Sequence, residues 1–146
     1  ILRKPGKLTP DERAIMEQHP RVGVHILQEM RSLEREIPIV RHHHERWDGQ
    51  GYPSSISGTR IPRTARILAV ADALDGITSD RSHRCLRPLH EAVRIIRREA
   101  GAQFDPEAVE GLARWIETVA QRLGRPFDQV TTQDLLAVPE PCAATV

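Results

Sequence analysis

The sequence predicts an all-α fold, and three observations carry that expectation. Apolar residues recur three and four apart in several segments. Helix-start signals precede two of those segments, at Thr9-Pro10-Asp11-Glu12 and at Asp105-Pro106. No stretch alternates apolar and polar residues as a half-buried strand would. A chain of 146 residues with 39% hydrophobic and 28% charged residues is long and apolar enough for one domain with a core.

The elements follow in order. Thr9 to Glu12 reads as a capping box, with Pro10 at a helical position that needs no amide proton. The helix it opens carries Ile15 and Met16. It is expected to end near His19, because Pro20 biases its predecessor away from the α region. A second helix starts there, with Val22, Ile26, Met30 and Leu33 on one face. A third is expected from Pro38 through Ile39, Val40 and three consecutive histidines to Trp47. Residues 48–61, rich in Gly, Ser and Pro, form a loop. Pro62 then opens a helix, RTARILAVADALDGIT, apolar nearly all round and so expected to be buried. Leu89 to Glu99 is amphipathic and Gly101 ends it. The last clear helix shows Val109, Leu112, Ile116, Val119 and Leu123 on one face. Beyond Gly124 the pattern fades, leaving at most a short turn over 133–137. The expected organisation is a helical domain over 1–124 and a partly disordered tail over 125–146.

Composition removes several functions. Aromatics at 3% supply no base-stacking platform, and a net charge of +1 supplies no basic field for nucleic acid. No apolar run approaches the length of a membrane span. Cys85 and Cys142 form no CxxC pair, so the expected compartment is reducing and cytoplasmic. A first residue of Ile rather than Met gives the expectation that the chain was cut from a longer one.

Chemistry concentrates in RHHHERWDGQGYP, residues 41–53. On a helix, His43 would stand one turn after Ile39 and His44 one turn after Val40. Both would lie near the face of Trp47, while His42 would face solvent beside Pro38 and Arg46. Two inward imidazoles suit one metal ion or two neighbouring ions; a purely structural pair bonded to backbone or carboxylates is the other open reading. Asp72 sits in an apolar helix, where an ionised carboxylate needs a metal or an ion pair, and 19 arginines are available to pair with it. His19, at a proline-marked helix end, is either a ligand or a group placed against the helix dipole. Together His19, His43, His44 and Asp72 make an N/O donor set that suits iron, manganese, nickel or zinc in a hydrolytic site. Arg81 and Arg84, three apart, form either a phosphate-gripping fork or a solvated pair.

HHHERWDGQGYP, followed by IPRTARILAVADALDGITSDR, resembles the HD-GYP domains, bacterial phosphodiesterases that hydrolyse cyclic di-GMP. ILRKPGKLTPDERAIMEQHPRVGVHIL and GAQFDPEAVE extend the resemblance over roughly residues 1–116. It implies an HD-superfamily helical bundle with a Gly-rich loop between helices. It also implies two or three divalent metal ions, usually iron or manganese, with His19, His43, His44 and Asp72 as ligands. Arg81 and Arg84 correspond to a pair that grips the dinucleotide phosphates. Gly51-Tyr52-Pro53 is the loop motif; Tyr52 borders the substrate cleft, and the loop is a docking point for other signalling domains. The implied activity is metal-assisted hydrolysis of cyclic di-GMP to pGpG and/or GMP. A non-catalytic module that binds the dinucleotide or a partner protein through the loop is the rival class.

The chain departs from the family at two places. The family's His-Asp doublet and a following lysine would lie upstream of Ile1, so the chain alone is expected to bind metal weakly and turn over little substrate. Ser82-His83 also stands where family members more often have Pro-Tyr.

Overall fold

A computed structural model describes residues 1, 4, 6–79 and 87–137. The described residues form seven α-helices: α1 (Pro10–Met16), α2 (His19–Gln28), α3 (Ile37–His42), α4 (Arg63–Thr78), α5 (Leu89–Arg98), α6 (Pro106–Leu123) and α7 (Thr132–Ala137). No strand occurs among them, only a single bridge between Ala100 and Phe104. The protein is all-α.

The capping box forms as its residue types dictate. The Glu12 amide donates to Thr9 Oγ1 at 3.3 Å and the Thr9 amide donates to Glu12 Oε2 at 2.7 Å, so two N–H groups without helical partners are satisfied together. His19 lies in the first turn of α2 rather than in the last turn of α1, which stops at Met16. Pro20 lacks the donor needed to continue a helix but is tolerated in the opening turn of a new one.

The core belongs to the second half of the chain. Ile96 of α5 and Ile116 of α6 are fully buried, and around them pack Val70, Leu74, Leu89, Val93, Phe104, Val109 and Val119. Asp105 joins α6 to α4. Its Oδ1 accepts from the Glu107 amide at 2.9 Å as the N-cap, and its Oδ2 accepts from Arg66 Nη1 at 2.6 Å. The Arg66 guanidinium in turn lies 5.7 Å from the centre of the Trp47 ring.

Four sequence expectations are corrected. First, α3 ends at His42, five residues short of Trp47; His43 is its C-cap. Second, α2 ends at Gln28, short of the Met30 and Leu33 expected to share a helical face with Val22 and Ile26; Val22, Ile26 and Met30 are exposed, and α2 is buried through Pro20 and Val24. Gly23 allows that geometry, since a Cβ there would stand 2.9 Å from Val40 Cγ1 on α3. Third, α4 is not buried all round: Ile67, Leu68, Ala71, Asp72 and Asp75 are exposed. Fourth, the segment after Gly124, expected as a tail, returns to the core. Val130 and Leu135 are buried in it and Phe127 packs against it, because a period of three to five residues over so short a stretch hides its inward face from a sequence pattern. Residues 138–146 lie outside the described residues.

Candidate metal centre

The segment after α3 is folded back by hydrogen bonds at three places, and these position the histidines. The His43 ring donates through Nδ1 to the Val40 carbonyl at 2.8 Å. That carbonyl is one of the acceptors a helix leaves unpaired in its last turn, so the side chain caps the helix that it ends. Downstream, the Trp47 and Asp48 amides donate to the carbonyls of Gln103 and Ala102 at 3.1 and 2.9 Å, tying the segment to the α5–α6 turn. Between these anchors the Tyr52 amide donates to the His44 carbonyl at 3.3 Å, so the loop doubles back over the histidines. Gly51 makes the close approach possible: a Cβ there would fall 2.3 Å from the Arg46 nitrogen and 2.5 Å from Glu45 Cα. The bond between Tyr52 and Pro53 is cis.

Three imidazoles converge. One ring nitrogen from each of His19, His43 and His44 lies within 4.8 Å of the others. His19 Nε2 and His44 Nε2 are 3.0 Å apart. The second nitrogens of two rings are already committed, His19 Nδ1 to the Met16 carbonyl at 2.7 Å and His43 Nδ1 to the Val40 carbonyl at 2.8 Å. A carbonyl oxygen only accepts, so both Nδ1 atoms carry the proton, and in the neutral ring Nε2 is the nitrogen left with a lone pair. Outer bonds of this kind orient metal-binding imidazoles.

The His44 imidazole is pushed down to about 4, first by burial and then by the neighbouring rings of His43 and His19, with the Asp72 carboxylate opposing. It is therefore neutral at pH 7. Tyr52 stacks on it with ring centres 4.9 Å apart. Burial, assisted by the Glu17 charge, raises the Tyr52 phenol above its ordinary value, so it stays protonated.

Asp72 borders the same cavity, a concavity of about 260 Å³ that also includes His43, His44, Tyr52, Arg13 and Arg46. It stands outside the close cluster and is exposed, so the burial penalty expected for its carboxylate does not apply. His42 was expected in solvent, yet its side chain is only 16% exposed and its Nδ1 lies 3.6 Å from the buried Glu45 carboxylate. Arg81 and Arg84 lie outside the described residues, as do Cys85 and Cys142. A larger groove of about 700 Å³ follows another face of α4 against α6 and α7. It is lined by Ile67, Trp115 and Leu136 among others and contains no histidine, so the imidazole chemistry lies elsewhere.

Glu45 escaped the sequence reading. Its side chain is wholly buried, and Oε1 accepts from the Ser54 amide at 2.7 Å, fastening the far side of the loop. The only signal was an acid following the histidines, and spacing alone does not reveal that a backbone amide nine residues away becomes its partner.

The depressed His44 value carries a prediction for protein stripped of metal. Unfolded, the ring takes up its proton near its ordinary 6.5; folded, near about 4. Between those values the unfolded state binds more protons, so the stability contributed by the neutral ring is complete above pH 6.5 and declines as pH falls toward 4. One imidazole resonance is expected to titrate near 4 by NMR, with the urea midpoint falling over the same window. A normally titrating His44 would contradict the buried cluster.

Comparison with known proteins adds relatives to this geometry. The family profile described as HD domain matches residues 1–108. The chain is 39% identical over 136 residues to a cyclic di-GMP phosphodiesterase of Thermotoga maritima, covering 92% of this chain and 37% of that protein. It is 39% identical over 127 residues to the cyclic di-GMP phosphodiesterase response regulator RpfG of Xanthomonas campestris pv. campestris, covering 86% of this chain and 34% of the relative. A crystal structure of a cyclic GMP-AMP phosphodiesterase from Vibrio cholerae, V-cGAP3, superposes with a TM-score of 0.65 at 24% identity, over 90% of this chain and 30% of that one, a likeness of fold. The chain thus spans about a third of the length of these relatives.

Proposed function

We propose, from the premise that this chain belongs to the HD domain family, that it forms the metal-binding part of a phosphodiesterase that hydrolyses cyclic di-GMP to pGpG and/or GMP. The observation that carries the reading is the convergence of the His19, His43 and His44 nitrogens, two of them with tautomers held by backbone carbonyls. The resemblance of HHHERWDGQGYP to the HD-GYP motif and the names of the relatives support the substrate.

The residues present fit divalent metal. Neutral imidazole donors with a nearby carboxylate, and no thiolate, suit iron, manganese, nickel or zinc; the family resembled usually holds iron or manganese. His19, His43 and His44 would hold the metal through nitrogen and Asp72 through oxygen, in a centre of two or three ions as in the family resembled. Such ions, when bound, supply Lewis-acid polarisation of phosphoryl oxygens. The remaining work falls to the chain. Carbonyls of Met16 and Val40 keep the His19 and His43 lone pairs directed into the cluster. Burial keeps His44 unprotonated and available at neutral pH. The Tyr52 phenol, protonated and set over His44, borders the cavity as a hydrogen-bond donor. Glu45 holds the loop that brings Tyr52 there. Arg81 and Arg84 complete the proposal as phosphate-gripping groups.

The test is turnover of cyclic di-GMP by the full-length protein, loaded anaerobically with Fe(II) or Mn(II). Bound metal together with release of pGpG is the expected result. Tight binding of cyclic di-GMP by metal-loaded protein without any product would overturn the enzymatic reading in favour of a docking module.

A further inference from the structure

The histidine cavity carries a cation on its α1 side that no motif marks. Arg13 lines the cavity with His43, His44, Tyr52 and Asp72, and its charge acts on the Tyr52 phenol. The other arginine on the wall, Arg46, is committed: Asp48 accepts from its Nε at 3.1 Å and from its Nη2 at 2.7 Å. Arg13 is held at one point only. Its Nε donates to Glu17 Oε1 at 2.7 Å, one turn along the same stretch of chain, and among the described residues its terminal amino groups have no partner. The guanidinium is thus oriented by Glu17 while 73% of the side chain remains exposed at the rim.

A cyclic dinucleotide has two phosphodiester groups. With one at the imidazole cluster, the other must lie away from it, and an oriented guanidinium with two unused amino groups matches phosphate oxygens. We propose that Arg13 is a specificity-determining residue that contacts the second phosphate from the α1 side, in addition to the Arg81 and Arg84 pair, and so favours substrates with two phosphates over simple diesters. Because Glu17 balances the charge, the contribution lies in directed hydrogen bonds rather than long-range attraction. The inference rests on the phosphodiesterase reading of the histidine site.

The experiment compares cyclic di-GMP with bis(4-nitrophenyl) phosphate, which has a single phosphate, in the full-length protein loaded with Mn(II). Arg13→Gln is expected to raise KM for cyclic di-GMP about three- to tenfold, as loss of an exposed charge-assisted hydrogen bond should. It should leave kcat nearly unchanged and both constants for the simple diester unaltered. Arg13→Lys should restore part of the lost affinity, and unchanged melting curves should accompany both variants. An unaltered KM for cyclic di-GMP overturns the role of Arg13 and leaves the phosphodiesterase reading standing. Equal losses on both substrates also overturn it, since Arg13 would then act on the histidine site itself. If the unmodified protein hydrolyses neither substrate, the phosphodiesterase reading fails and this inference falls with it.

Discussion

His43→Ala is expected to abolish stable metal loading, measured as metal per chain after dialysis, and with it any hydrolysis of cyclic di-GMP. The substitution removes one of the three converging nitrogens and the ring that caps α3 through the Val40 carbonyl. Losing a group that only orients a ligand lowers metal affinity about 10- to 100-fold, so losing the ligand itself should exceed that. The cost to folding should be smaller, about 1 kcal/mol for one hydrogen bond to a half-buried carbonyl. The two effects are separable: urea denaturation of metal-free protein should move little while metal content collapses. Full metal occupancy in the variant would remove His43 from the centre.

Gly51→Ala is expected to be the most damaging single-methyl change in the site. The new Cβ would stand 2.3 Å from the Arg46 nitrogen, 2.5 Å from Glu45 Cα and 2.6 Å from the His44 oxygen. All three are backbone atoms, so no side chain can swing away and either the loop or the histidine segment must shift. Overpacking that moves backbone costs about 1–3 kcal/mol. Here the shift would also part the Tyr52 amide from the His44 carbonyl and the Ser54 amide from Glu45. Denaturant titration should report the lost stability, and metal content a misplaced His44. A variant as stable as the parent, with full metal content, would mean that the loop does not press on the histidines in solution.

Much of this was readable in advance because it depends on residues close in the chain. The Thr9/Glu12 capping box, the Asp105 N-cap and the α6 face at Val109, Leu112, Ile116 and Val119 follow from spacings of two to four residues. The three histidines and His19 could be singled out because imidazoles without thiolates point to one kind of metal chemistry. The expected helix through Trp47 failed for reasons that periodicity cannot express: the His43 ring takes the Val40 carbonyl, and the Trp47 and Asp48 amides pair with the distant carbonyls of Gln103 and Ala102. The Val22, Ile26 and Met30 stripe misled because amphipathic pattern states which face is apolar, not whether a neighbour covers it.

From the sequence alone came the all-helical class, the helix starts, the loop and the histidines of the candidate centre. These are consequences of backbone propensity and side-chain chemistry acting over a few residues. Only tertiary structure decided which helix faces are covered, that residues 127–135 return to the core, and that imidazoles 25 positions apart meet at 3.0 Å. Those outcomes depend on where a tight approach such as Gly51 against Glu45 lets distant backbone segments touch, and no local pattern encodes the far side of such a contact.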